Sequence, residues 1–288
     1  MASNSFEKIN LALLIEYATS LPTSPRIYAR LSQLLQNEDA SLDYISSLVK
    51  MDPGLSAQVL RVTNSAAYAG TMKVNEIGTA ISRIGFNELR SILKMVVDNE
   101  AFYQALPTYG ETATEFADRS LDVAIISEVV ANRCGFDTTG PYITGLLHQI
   151  GKLAINLYLE RLEKASDITE HCGDRALMVV EQELLGMSHY RVGAELLSHW
   201  QFEMSIWQPI KNLNSPLHAQ SQLRATSILS LAIWFADQLG GFDPDASTPE
   251  PIKRACKELG IDALDLTSLL DDSRFEINDR KNQLAMLL

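Results

Sequence analysis

Gly145-Leu146-Leu147-His148-Gln149-Ile150-Gly151-Lys152-Leu153 is the stretch whose reading decides the fold. Its apolar residues, continued by Ala154 and Leu157, recur at helical spacing. The spacing predicts a helix that carries His148 on or beside a core-facing stripe. Two glycines six positions apart let neighbouring helices approach closely, at some cost in helix propensity. A lone imidazole on such a stripe is most simply a packed, hydrogen-bonded core residue. It becomes a metal ligand when an acidic neighbour joins it. Here the neighbour is Gln149, a neutral amide with little affinity for a divalent metal.

Working outward, 288 residues suffice for a large core in one domain or two. A net charge of −12 argues against a general phosphate-binding surface, so nucleic acid is not an expected partner. Cys134, Cys172 and Cys256 form no C-x-x-C pair and read as small hydrophobes in a reducing compartment. No apolar run reaches membrane-spanning length and the start shows no leader pattern. The expectation is therefore a cytoplasmic chain with no membrane insertion.

Helical periodicity runs from end to end, and no segment alternates as a strand does. Residues 5–19 place Phe6, Ile9, Leu13 and Tyr17 on one face. After the breaker Leu21-Pro22-Thr23-Ser24-Pro25 comes a helix with Ile27, Leu31, Leu34 and Leu35. Ser41 caps a third helix, and Asp52-Pro53 supplies the cap and first-turn proline of a fourth, which ends near Asn64-Ser65. Asn64 is read there as a residue that tolerates left-handed backbone. Ile77 to Ile84 form a fifth helix, stopped by Gly85, and Leu89 to Val97 a sixth. A looser region over 99–115 precedes a long amphipathic helix that Gly135 ends. Beyond the His148 helix, further helices are predicted over 173–185, 189–199, 204–213 and 217–239. Gly240-Gly241-Phe242-Asp243-Pro244 closes the last, and a tail of one or two helices follows.

Several blocks resemble the HDOD domain of bacterial signalling proteins. They are Leu21 to Pro25, Val49 to Ala66 with Asp52-Pro53 and Asn64-Ser65 in order, Ile77 to Gly85, and Gly145 to Leu153. The resemblance spans roughly residues 18–213. It implies an all-α, multi-helix bundle like that of the HD superfamily, with an additional N-terminal helical lobe. The expected organisation is an N-terminal lobe over 1–115, an HD-like lobe over 116–240 and a helical tail over 241–288.

The same resemblance sets out the site. HD enzymes place a first His where Arg119 stands here, then a His-Asp pair that here is His148-Gln149. Their final Asp matches Asp237, and the added His of the HD-GYP enzymes matches His189. A further His pair would fall near Leu213-Asn214 and is missing. A guanidinium cannot deprotonate and repels a cation. Arg119 is expected instead to pair with Asp237 inside the old site, with Gln149 and Lys152 as polar neighbours. If that pair is buried, losing either member costs roughly 3–5 kcal/mol. Asp52, Pro53, Asn64, Ser65 and Gly85 of the N-terminal blocks are read as structural, with a recognition surface as the alternative.

The implied function is a non-catalytic signal-transduction module acting through contacts with a protein partner in a bacterial pathway. No receiver, kinase or cyclase pattern accompanies it, so its output is expected in trans. No cofactor is expected. The alternative is a phosphohydrolase or phosphodiesterase with iron or manganese held by His148, His189 and Asp237. A second alternative is a sensor that binds a small nucleotide in the emptied pocket.

Overall fold

The computed structural model describes residues 8–19, 21–37, 40–68, 72–98, 105–173, 175–239 and 248–287. Phe6, residues 99–104 of the looser 99–115 region and the turn over 240–244 lie outside them. The described residues are helical throughout, as the period predicts, and no strand forms among them. Leu106 and Glu111 make an isolated antiparallel bridge.

The N-terminal helices are α1 (Leu11–Tyr17), α2 (Pro25–Leu34), α3 (Leu42–Lys50), α4 (Pro53–Asn64) and α5 (Ile77–Asp98). Local chemistry sets their ends. The Ser41 hydroxyl accepts from Tyr44 N–H to start α3, and the Asp52 carboxylate accepts from Leu55 N–H at 2.7 Å to start α4. Asp52 also accepts from Ser24 N–H at 2.6 Å, so one buried carboxylate pins the entries of α2 and α4. Pro53 fills the first turn of α4, where a missing N–H costs nothing. Gly85, at φ +77°, kinks α5 into the two helices expected on either side of it.

Asn64 departs from its expected role. It is helical, not left-handed, and its amide clamps Val74 by donating to the carbonyl at 2.9 Å and accepting from the N–H at 2.8 Å. Ser65 donates its hydroxyl to Val62 O at 2.7 Å, closing the helix.

The second half is built around α6 (Ala113–Arg133), opened by a capping box in which Thr112 and Glu115 satisfy each other's backbone. Helices α7 (Thr139–Leu147), α12 (Leu223–Gln238) and α14 (Ala263–Leu287) pack on α6. On the far side α8 (Ile150–Arg161) meets α10 (His189–His199), flanked by α9 (Leu177–Leu185) and α11 (Met204–Asn212). Helix α13 (Glu250–Leu259) covers α12. Helix α1 packs on α8, across the lobe boundary drawn from sequence. One connected apolar core runs from Ile9 to Ile277.

The decisive stretch is not one helix. It breaks at His148-Gln149, between α7 and α8, with Gln149 at φ −108° and ψ 18°. The His148 Nδ1 lies 2.7 Å from Gly145 O, the carbonyl that a continuous helix would offer to Gln149 N–H. A side chain thus takes the acceptor that helix continuation needs.

The two glycines do what their spacing suggests. A Cβ on Gly145 would stand 2.7 Å from Val123 O on α6. On Gly151 it would stand 2.0 Å from His189 O and 2.7 Å from Gly193 N on α10. Both neighbours of Gly151 are backbone atoms, so only separation of α8 from α10 admits a methyl group. We expect Gly151→Ala to cost about 3 kcal/mol by overpacking. Gly135→Ala, at an open position with φ +71°, should cost about 1–2 kcal/mol through left-handed strain alone. Equilibrium urea unfolding measures both, and equal costs would contradict the close contact at Gly151.

Candidate functional site

The break between α7 and α8 turns His148, Gln149 and Lys152 toward a cavity of about 360 Å³ that Arg119 of α6 and His189 of α10 also line. The structure therefore brings together five of the six residues expected around the degenerate centre. The sixth, Asp237, is outside the lining but accepts an ion pair from Arg119 at 2.8 Å.

That pair forms as expected but not where expected. Its side chains are 34% and 54% exposed, so it closes the rim and is not a buried charge pair. An exposed pair contributes at most about 1 kcal/mol, which replaces the 3–5 kcal/mol of the buried case.

Each inner group is held by a specific partner. Gln149 donates its amide N–H groups to Phe116 O at 2.9 Å and to Ser120 Oγ at 3.0 Å, both on α6. Lys152, almost fully buried, is paired with Glu111 and stands 5.2 Å from the centre of the Tyr109 ring. His189 Nδ1 lies 2.8 Å from a Glu181 oxygen, and the same carboxylate accepts from His189 N–H at 2.9 Å and Tyr109 O–H at 2.8 Å.

Glu181, Tyr109 and Glu111 were absent from the sequence reading. Glu181 carried one usable signal: it falls four residues from both Leu177 and Leu185, on the apolar stripe of α9, where a carboxylate needs partners. Tyr109 sits in the short 3₁₀ turn Pro107–Tyr109, and nothing local ties it to α9.

Electrostatics follow from these contacts. Burial pushes the Glu181 carboxyl up, but charge attraction and hydrogen bonds from His189 more than offset it, and the group ends below its ordinary value. Burial holds the His148 imidazole well below the usual histidine range, with Arg119, His189 and Lys152 adding in the same sense. His148 is neutral at pH 7. Its Nδ1–H donates to Gly145 O, which leaves Nε2 as the acceptor.

These residues do not fit a resident divalent ion. Among the described residues no three His, Cys, Asp or Glu side chains come together as a ligand set. His148, His189 and Asp237 are therefore not assembled as two imidazoles and a carboxylate, and Asp237 already serves Arg119.

A profile of the HDOD domain family matches residues 21–216. The chain belongs to the HDOD domain family. A virulence factor from Campylobacter jejuni has a similar structure, with TM-score 0.71 and 20% identity over 93% of this chain and 96% of that one. The MmoQ response regulator from Methylococcus capsulatus superposes with TM-score 0.65 and 23% identity, covering 87% and 98%. An uncharacterized protein of Treponema pallidum is 24% identical over 227 residues, which is 74% of this chain. The chain spans 41% of the length of that relative. The all-helical, HD-like fold is common to these structures, and no helix among the described residues is long and apolar enough to cross a membrane.

Two measurements follow from the site. Asp237→Asn should change unfolding stability by no more than about 1 kcal/mol, whereas Glu181→Ala, which strands buried donors, should cost about 3 kcal/mol or more. Similar losses would contradict the burial pattern. For His148 the sign follows from its depressed value. The unfolded chain takes up a proton near pH 6.5 that the folded chain refuses, so stability present above pH 6.5 is lost as pH falls below it. The loss should approach about 1.4 kcal/mol per pH unit for this one proton, and His148→Gln should remove that part of the slope. An unchanged slope between pH 6.5 and 5 in the variant would contradict a neutral buried imidazole.

Proposed function

We propose that this chain is a non-catalytic HDOD regulatory module that acts through contacts with a protein partner in a bacterial signalling pathway. The carrying observation is the 2.8 Å pair between Arg119 and Asp237, which places a permanent cation at the rim and occupies the last carboxylate of the HD pattern. The inward hydrogen bonds of Gln149 support the same reading, because they give the second ligand position to the fold. A phosphoester hydrolase of HD type needs a metal to polarise the phosphoryl group and supply hydroxide, and the present side chains do not form its cradle. Met72, Met95 and Val97 are exposed apolar side chains of the N-terminal segment and are the first positions to test for partner contact.

The cavity's size and its two cations, Arg119 and Lys152, support a second reading as a sensor of a small nucleotide. Both cations already have carboxylate partners, Asp237 and Glu111, so a phosphate must compete for them.

The test is metal content and hydrolysis together. Protein purified after growth with manganese and iron should carry well under one ion per chain and should not cleave bis(p-nitrophenyl) phosphate. The double variant Arg119→His, Gln149→Asp should gain divalent-metal binding, since it restores two donors beside His148 and frees Asp237. Stoichiometric metal with turnover in the unaltered chain would overturn the proposal.

A further inference from the structure

We propose that the His148 cavity binds a small uncharged molecule that carries a cyclic amide, its N–H beside its C=O. This deepens the regulatory reading by giving the module an input, and it rests on that reading, since an ion at His148 would occupy the same place. The volume of about 360 Å³ falls within the range of ligand pockets and admits one or two rings.

His148 supplies the most specific feature. Its Nδ1 is spent on Gly145 O at 2.7 Å, and its Nε2 has no hydrogen-bond partner among the described residues. The residue is only 2% exposed and lines the cavity, so what little of it is accessible opens there. Nε2 is not among the sealed atoms of the interior, as the unmatched Ser230 Oγ is, and a ligand can reach it. A desolvated acceptor without a partner is uncommon and calls for a donor. Burial keeps this imidazole neutral, so Nε2 offers a lone pair and the proton must come from the ligand.

The charged groups select against an anion. Arg119 is matched by Asp237 and Lys152 by Glu111, so each cation is neutralised where it stands. A phosphate must displace a carboxylate, whereas a carbonyl oxygen needs a single N–H. The Lys152 ammonium has three N–H groups and one carboxylate partner, so it can donate again without giving up Glu111. It lines the same cavity as His148, across the break between α7 and α8. One wall therefore presents an acceptor at His148 and a donor at Lys152. A cyclic amide answers both with one uncharged, rigid group. Met178, Leu213 and Ile233 form the apolar wall for its ring carbons. They belong to α9, the end of α11 and α12, so a ligand held by His148 and Lys152 ties α8 to all three.

The experiment is thermal denaturation of the metal-free full chain with uracil, hypoxanthine or δ-valerolactam. Their controls are 1,3-dimethyluracil and N-methylpiperidone, which keep the carbonyl and lose the N–H, and inorganic phosphate, which tests the anion. At least one cyclic amide should raise Tm by about 5 °C at about 100-fold over its Kd, with no control doing so. The same ligand should displace the His148 Nε2 resonance in a long-range ¹H–¹⁵N spectrum. Lys152→Met should weaken its binding about tenfold or more. The methylated controls need no altered protein, so the test stands even where a variant is unstable. No shift with any of the three cyclic amides overturns the proposal. So does a shift equalled by a methylated control or by phosphate, one that leaves His148 Nε2 unmoved, or binding that a folded Lys152→Met chain retains in full. Stoichiometric metal in the unaltered chain would overturn the regulatory reading and this proposal together, whereas a failed shift in metal-free protein overturns this one alone.

Discussion

At Gly151 the backbone of α8 lies so near the His189 carbonyl that no side chain fits between them. Helix α10 answers with Gly193, whose own neighbours include Gly151 N at 3.1 Å from a built Cβ. On the other side of the same stretch Gly145 seats α7 against α6 in the same way. Protein interiors resist even one added methylene, so these contacts act as fixed distances. Everything that lines the His148 cavity hangs from them: Arg119 on α6, His148, Gln149 and Lys152 at the turn, and His189 on α10.

Within that frame the polar groups are matched to one another. Glu181 gathers three donors, Gln149 is spent on α6, and Lys152 has Glu111. A satisfied buried network is rigid, because any rearrangement leaves a desolvated group unmatched. Each of the two imidazoles, His148 and His189, has its Nδ1 tied to an oxygen, which fixes the ring's orientation.

Much of this was legible in the residues. Period 3.6 gave the helices, and Ser41, Asp52-Pro53, Gly85 and Gly135 gave their ends, since these are local effects that neighbours in sequence settle. The pairing of Arg119 with Asp237 follows from the resemblance to the HD pattern, but its exposure does not, because rim and core cannot be told apart from spacing. The break at His148 was hidden because it depends on a side chain capturing a backbone carbonyl. Asn64 was misjudged for a similar reason: its partner Val74 lies across a loop, and only the fold brings them together. Glu181 and Tyr109, 72 residues apart, meet through packing alone.

The central claim is that His148 and His189 are neutral or carboxylate-paired imidazoles in a site that holds no ion. Long-range ¹H–¹⁵N correlation spectra of the two rings, taken before and after one equivalent of zinc, address it directly. The account predicts that His148 is the Nδ1–H tautomer and that neither Nε2 resonance moves on addition of zinc. Stoichiometric displacement of both Nε2 signals would show a metal bound between them and would contradict it.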